Sequence, residues 1–313
     1  MSAAGATPAC TETLIWARET DSQGRLGRLV DVLELLGPVV VAFSGGADST
    51  FLAVVATRVL GRDLVHCVTA DSASLAPEEL ADCKALAAEW GLRWSALATS
   101  ELEDPSYVAN GLDRCYHCKS ELMTTLGPVA VDEGGTVVLG VNLDDLGDHR
   151  PGQSAAAERG AAFPLVDAGL TKSDVRALSR ILGLRTWDKP AAACLASRVP
   201  HGTAVSAELL GQVARAESAL RRLGFQSLRV RHYGDTARLE VELADLSRVV
   251  ELRERVVGAV HGAGYRYVTV DLEGLRSGNV ARAALDDERA RGASPGASPT
   301  AVSASVSLLG TRR

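Results

Sequence analysis

The chain has 313 residues, with 33 Lys and Arg against 39 Asp and Glu, for a formal charge of −6. Its 46% hydrophobic and 23% charged fractions exclude wholesale disorder and collagen-like sequence, and no apolar run approaches the ~18 residues needed to span a bilayer. The acidic balance weighs against a long nucleic acid as the main ligand, because phosphate neutralisation needs a basic face. Aromatic residues make up only 4%, so the core must be built from Ala, Val and Leu. The opening MSAAGATPACTET has no basic stretch followed by an apolar one, so no secretory signal is expected and the chain reads as cytoplasmic.

Residues 1–24 are small and polar at the start and are expected to be partly disordered, and 276–313 are expected to form a disordered tail rich in Ala, Ser, Pro and Gly. Between them, PVVVAF (38–43), LVHCVT (64–69), residues 92–98 and TVVLGV (136–141) read as strands. Helical patterns separate them, one from near Ser49 to Leu60 and one from Pro77 to about Trp90. Continuous apolar strands alternating with helices predict a parallel α/β sheet with helices on both faces, spanning 25–165. A connector over 166–205 begins with a helix N-capped by Thr171, with Asp174 completing a capping box. Over 206–275 an amphipathic helix, a hairpin turning at Gly234-Asp235, a helix at 245–261 and a strand at 265–271 predict a small α+β domain.

SGGADS (Ser44–Ser49) sits between a buried strand and a helix, where a phosphate cradle belongs. Gly45 and Gly46 let the backbone approach an anion, the helix start offers free N–H groups, Ser44 and Ser49 add hydroxyls, and Asp48 is expected to hold Mg²⁺. The run is neither GxxxxGK[ST] nor GxGxxG and resembles the SGGxDS signature of PP-loop ATP pyrophosphatases, which split ATP into AMP and pyrophosphate while adenylating a substrate. Thr69, in VTADS at the end of the second strand, is expected beside the adenine or ribose. The loop after the fourth strand, GVNLDDLGDHRPG, adds Asn142, Asp144, Asp145, Asp148 and Arg150, an acidic group that Mg²⁺ or Arg150 would compensate.

Six cysteines are present. Cys67 and Cys83 fall in a strand and an amphipathic helix and read as core fillers, and Cys10 lies in the loose terminus. Cys115 and Cys118 in RCYHCK have a spacing that lets two thiolates reach one metal, and Cys194 is the other cysteine in a polar segment. Three thiolates would leave one iron of a [4Fe–4S] cluster open for an extra sulfide. Arg229 and Arg231 are two apart on a predicted strand and share a face, where they suit a phosphate.

GVNLDDLGDHRPG, the run from PLVDAGLTKSDVRALSRILGL into TWDKPAAACLASRVPHGT, and LRVRHYG together resemble the LarE family, over about residues 25–275. These are PP-loop sulfur transferases that help to make the nickel-pincer nucleotide of lactate racemase. The resemblance implies ATP-dependent adenylation of a carboxylate on a pyridinium mononucleotide, then replacement of an oxygen by sulfur. It offers two sulfur sources: a [4Fe–4S] cluster on Cys115, Cys118 and Cys194, or sacrifice of Cys194 itself, which leaves dehydroalanine. The CxxC pair matches the cluster pattern and departs from the single-cysteine one. The resemblance puts Arg229 and Arg231 at the substrate phosphate and Glu217 at an acidic position near the reactive cysteine. Ser197 and Arg198 follow Cys194 closely enough to line the same pocket. A homo-oligomer and transient contact with other cofactor-biosynthesis proteins are implied by resemblance alone. The competing readings are a tRNA thiolase of the same class and a non-catalytic iron–sulfur or nucleotide-sensing protein.

Overall fold

The computed structural model describes residues 16–17, 19–21, 24–147, 151–190 and 193–276. Cys10, Asp148, Arg150, most of the expected 1–24 segment and the expected tail beyond Arg276 lie outside the described residues. Strands β1 (Val39–Ala42), β2 (Val65–Asp71), β3 (Trp94–Ala98) and β4 (Thr136–Val138) form one parallel sheet in the order β3-β2-β1-β4. The chain steps outward from β1 to β3 and returns to lay β4 on the other side of β1, so the strand order reverses between β1 and β4. In open α/β sheets such a reversal opens a crevice at the strands' carboxyl ends. Helices Ala47–Leu60, Pro77–Glu89 and Arg114–Asp132 cover the faces. Val39, Val41, Phe51, Leu52 and Val55 pack in the core on one face, and Val40, Val68, Leu126 and Val137 on the other.

A second sheet, with β5 (Leu228–Tyr233), β6 (Thr236–Val241) and β7 (Tyr267–Val270), packs on helices Ala207–Arg222 and Arg253–Gly262 around Phe225, Val230, Leu239 and Val260. β5 and β6 are antiparallel and turn at Gly234-Asp235, and β6 and β7 are parallel. The connector is tied down by a core of its own, where Leu195, Ala196, Val199 and Val205 pack on Tyr107, Leu210 and Val213. Residues through Arg276 form one compact unit. No helix among the described residues is long and apolar enough to cross a membrane.

Thr171 caps the Lys172–Ile181 helix with the expected reciprocal Asp174 box. Two elements differ from the sequence pattern. The expected helix at 245–261 is split at Leu252 into Leu246–Glu251 and Arg253–Gly262. The fourth strand stops at Val138 instead of reaching 141, because the chain there leaves the sheet to lie against the first turn of the 47–60 helix. A Cβ on Gly140 would lie 2.8 Å from Ser49 N and 2.9 Å from Asp48 C, both rigid backbone. Gly140→Ala is therefore expected to lower stability by about 1–3 kcal/mol through overpacking. Urea unfolding reads the change, and a wild-type midpoint would contradict the close approach.

Candidate functional site

The phosphate loop leaves β1 at the crevice. Gly45 holds a left-handed φ of 65°, and a Cβ there would meet Cys83 Sγ at 2.9 Å, so only glycine suits both the turn and the packing. The Ser44 and Ser49 hydroxyls lie 3.1 Å apart, and the Ser44 N–H donates to Ser49 Oγ at 3.3 Å. The Gly46 N–H has no hydrogen-bond partner among the described residues. Free amides at the start of a 14-residue helix make an anion cradle.

Asp48 does not stand free for a cation. Lys172 Nζ closes on its carboxylate, and Asn142 Nδ2 donates to it at 3.2 Å. The Lys172 N–H in turn donates to Asp144 at 2.8 Å. The loop after β4 and the first turn of the 172–181 helix are thereby gathered around the phosphate loop. Lys172 was not among the residues expected at the site; a lysine in the first turn of a helix opposes the helix dipole, and that misfit is the signal that could have found it. Thr69, expected beside the adenine or ribose, has its hydroxyl engaged within the protein. It is buried, its hydroxyl donates to Phe43 O at 2.7 Å and accepts from Trp94 Nε1 at 2.9 Å, so it braces the strand ends.

Cys194 is exposed at the head of a one-turn helix, Leu195–Arg198. A set of hydrogen bonds fixes that turn. The Leu195 N–H donates to Ser74 O at 2.8 Å, just past the carboxyl end of β2. Arg114, the residue before Cys115, donates to Ala196 O at 2.9 Å. Arg198 donates to Ala193 O at 2.6 Å and Cys194 O at 3.2 Å. Arg231 donates to Ser197 O at 2.7 Å, and the Ser197 hydroxyl folds back on Cys194 O at the same distance.

Glu217 is fully buried rather than being one more surface helix carboxylate. It accepts from Arg198 Nε at 2.8 Å, Arg221 Nη2 at 2.9 Å and the Val230 N–H at 3.0 Å. Arg231 is likewise committed, bidentate on the buried Glu240 at 3.0 Å for both bonds. Arg229, close to Arg231 and Arg198, has no carboxylate partner among the described residues; it donates to Arg276 O at 2.8 Å. Burial, followed by the charges of Arg231 and Arg198, pulls its pKa below the ordinary value. An anion is what this group lacks.

The three expected metal-ligand thiols are neighbours but are not drawn together. Burial pushes the Cys118 thiol up to about 11, and the nearby Cys194, Glu101 and Cys115 add to the effect. Cys115 is exposed, as is Cys194, and no set of three metal-ligating side chains is gathered among the described residues. Three thiols suit a [4Fe–4S] cluster by donor type, and holding one would require the exposed pair to close on Cys118. Cys67 and Cys83 are buried in the core. A cleft of about 570 Å³ beside the 207–222 and 253–262 helices contains none of the expected site residues, so the candidate chemistry sits on loop ends.

An NAD synthase family model matches residues 30–109, the stretch that carries the phosphate loop. Pyridinium-3,5-bisthiocarboxylic acid mononucleotide synthase of Lactiplantibacillus plantarum is 40% identical over 253 residues, which cover 80% of this chain and 92% of that protein. The chain belongs to the LarE family. As a LarE-family chain it is a sulfurtransferase of the ATP-using PP-loop class. Two uncharacterized proteins also match, one from Synechocystis sp. at 44% identity over 83% of this chain and 98% of its own length, the other from Methanocaldococcus jannaschii at 26% over 76% and 91%.

Two outcomes are expected. Glu217→Ala strands Arg198 and Arg221 and should destabilise this LarE-family chain by about 3–5 kcal/mol in urea unfolding; a loss below about 1 kcal/mol would mean the buried pair is not what holds the turn. In metal-free protein at pH 8, iodoacetamide should label Cys115 and Cys194 at least about tenfold faster than Cys118, whose thiol is shielded and protonated. Equal rates by peptide mass spectrometry would contradict the burial of Cys118.

Proposed function

We propose that this enzyme adenylates a carboxylate of a pyridinium mononucleotide with ATP and replaces one carboxylate oxygen by sulfur, in the making of the nickel-pincer cofactor of lactate racemase. The observation that carries the reading is the Leu195 N–H to Ser74 O bond, which holds the Cys194 turn at the same sheet edge as the phosphate loop. The named relative from Lactiplantibacillus plantarum supports the substrate class.

ATP phosphates lie in the Ser44–Ser49 cradle, where the Gly46 N–H and the helix start accept their charge. Incoming phosphates compete with Asp48 for the Lys172 ammonium, and that exchange frees the Asp48 carboxylate for Mg²⁺, while the Lys172 backbone N–H keeps its bond to Asp144. Mg²⁺, when bound, offsets the charge that builds on pyrophosphate. The substrate carboxylate attacks the α-phosphorus, the bond to pyrophosphate breaks, and pyrophosphate leaves with the electron pair. Arg229 takes the phosphate of the mononucleotide, while Ser197, Arg198 and Arg231 hold the Cys194 turn beside it. Arg150 belongs to the same nucleotide loop in this reading.

For the sulfur, Cys115, Cys118 and Cys194 would hold a [4Fe–4S] cluster, which supplies a sulfide nucleophile when bound. AMP then leaves as the carbon–sulfur bond forms. The exposure of Cys194 and the separation of the three thiols favour a second reading. There the Cys194 thiolate displaces AMP to give a thioester. Loss of the Cα proton then breaks the Cβ–S bond, leaving the sulfur on the substrate and dehydroalanine in the chain.

Asp48→Ala is expected to abolish pyrophosphate release while the protein still melts cooperatively; release near the wild-type rate would refute the loop assignment. Anaerobic protein should carry about four irons, and Cys115→Ala, Cys118→Ala and Cys194→Ala should each lose both iron and sulfur transfer. Iron-free protein that stays active without Cys115 and Cys118, and becomes lighter by one H₂S per turnover, selects sacrifice of Cys194 instead.

A further inference from the structure

Lys189 lies in the connector, just ahead of the Cys194 turn. Its ammonium donates to three acceptors: Glu79 Oε2 at 2.8 Å, Asp82 Oδ2 at 2.9 Å and the backbone carbonyl of Gly45 at 3.2 Å. Glu79 and Asp82 belong to the Pro77–Glu89 helix, and Gly45 belongs to the phosphate loop. Burial works against the lysine's charge, and its hydrogen bonds to Asp82 and Glu79 outweigh burial and hold the pKa above the ordinary value, so the cation persists. Two carboxylates balance the ammonium's charge and take two of its three N–H donors. The third bond reaches the cradle.

That bond bears on phosphate binding through one peptide unit. Across a trans peptide the C=O and the following N–H point in opposite directions. A cation on Gly45 O therefore turns the Gly46 N–H away from the Pro77–Glu89 helix, and polarises it as a donor. The Gly46 N–H is the group that has no partner among the described residues. The same helix also packs Cys83 against Gly45, so the back of the loop cannot shift freely. On the far side of Cys194, the Leu195 N–H is bonded to Ser74 O, a few residues before that helix begins. Lys189 before the cysteine and Leu195 after it are thus both bonded to the segment 74–82.

We infer that Lys189 is a positioning residue that couples occupancy of the phosphate loop to the ordering of the Cys194 turn. An anion on the Gly46 N–H strengthens the Gly45 carbonyl as an acceptor through the shared peptide and so tightens the hold of Lys189 on the connector. Departure of pyrophosphate relaxes it, which would loosen the turn when sulfur must reach the activated carbon. Linkage makes the effect mutual: a connector held by Lys189 raises nucleotide affinity by the same factor. The inference rests on reading Ser44–Ser49 as the ATP site, and it is indifferent to which sulfur source operates.

The test is hydrogen–deuterium exchange of the full-length protein with and without Mg·ATP, followed on peptides covering 193–198, alongside ATP titration. In the wild type, Mg·ATP should slow exchange of these amides by about fivefold. Lys189→Gln should bring that ratio to about one and weaken ATP binding about tenfold, while Lys189→Arg, which keeps the cation, should restore most of both. Arg185→Gln is the structural control. Arg185 pairs with the same Asp82 and with Glu89 but does not touch Gly45, so its loss should leave the ratio intact. A wild type that binds ATP with no change at 193–198 overturns the coupling alone, and so does an Arg185→Gln variant that behaves like Lys189→Gln. A wild type that binds no ATP overturns the ATP-site reading, and the coupling with it.

Discussion

The Glu217 carboxylate is the point on which the surroundings of Cys194 turn. It is buried, and it ties three pieces of chain together: the Cys194 turn through Arg198, its own helix through Arg221, and strand β5 through the Val230 N–H. A buried carboxylate is tolerable only when its charge and lone pairs are met, and here two guanidinium groups and an amide meet them. Glu240 does the same for Arg231, which then reaches Ser197 O. The cysteine is thus presented by backbone carbonyls that arginines hold, and those arginines are in turn held by carboxylates away from solvent.

The nucleotide side obeys a different constraint, the reversal of strand order between β1 and β4. It brings the loops after both strands to one edge, where Gly140 lets the backbone lie against Ser49 and Asp48. The connector then crosses to the same edge and is fastened at Ser74. Charge is distributed to match. Asp48 is neutralised by Lys172, while Arg229 has no carboxylate partner among the described residues.

The backbone was largely legible, because it follows from local rules. The apolar runs at 38–43 and 64–69, the Thr171 cap and the Gly234-Asp235 turn each state their structure within a few residues. The side-chain partnerships were not. Glu217 sits on an amphipathic helix and looks like a surface carboxylate until Arg198 and the Val230 amide arrive from elsewhere in the chain. Arg229 and Arg231 have the same sequence context, yet only Arg231 finds a buried carboxylate: the antiparallel register sets Glu240 opposite Arg229, and Arg231 takes it on the diagonal. Thr69 is at the strand end where a ligand could rest, but Trp94 and Phe43 take its hydroxyl first. Lys189 lies within the TWDKPAAACLASRVPHGT run but nothing local marks its role; its partners come from a helix more than a hundred positions earlier.

The central claim is that adenylation at one sheet edge drives sulfur onto a carboxylate presented to Cys194. The most direct measurement is an anaerobic single turnover of ATP with a pyridinium dicarboxylate mononucleotide, with the product mass and the split nucleotide read together. The account predicts AMP and pyrophosphate in equal amounts, and a product in which one oxygen has been exchanged for sulfur for each ATP consumed. Release of AMP and pyrophosphate with a mononucleotide of unchanged mass, or ATP split to ADP and phosphate, would contradict it.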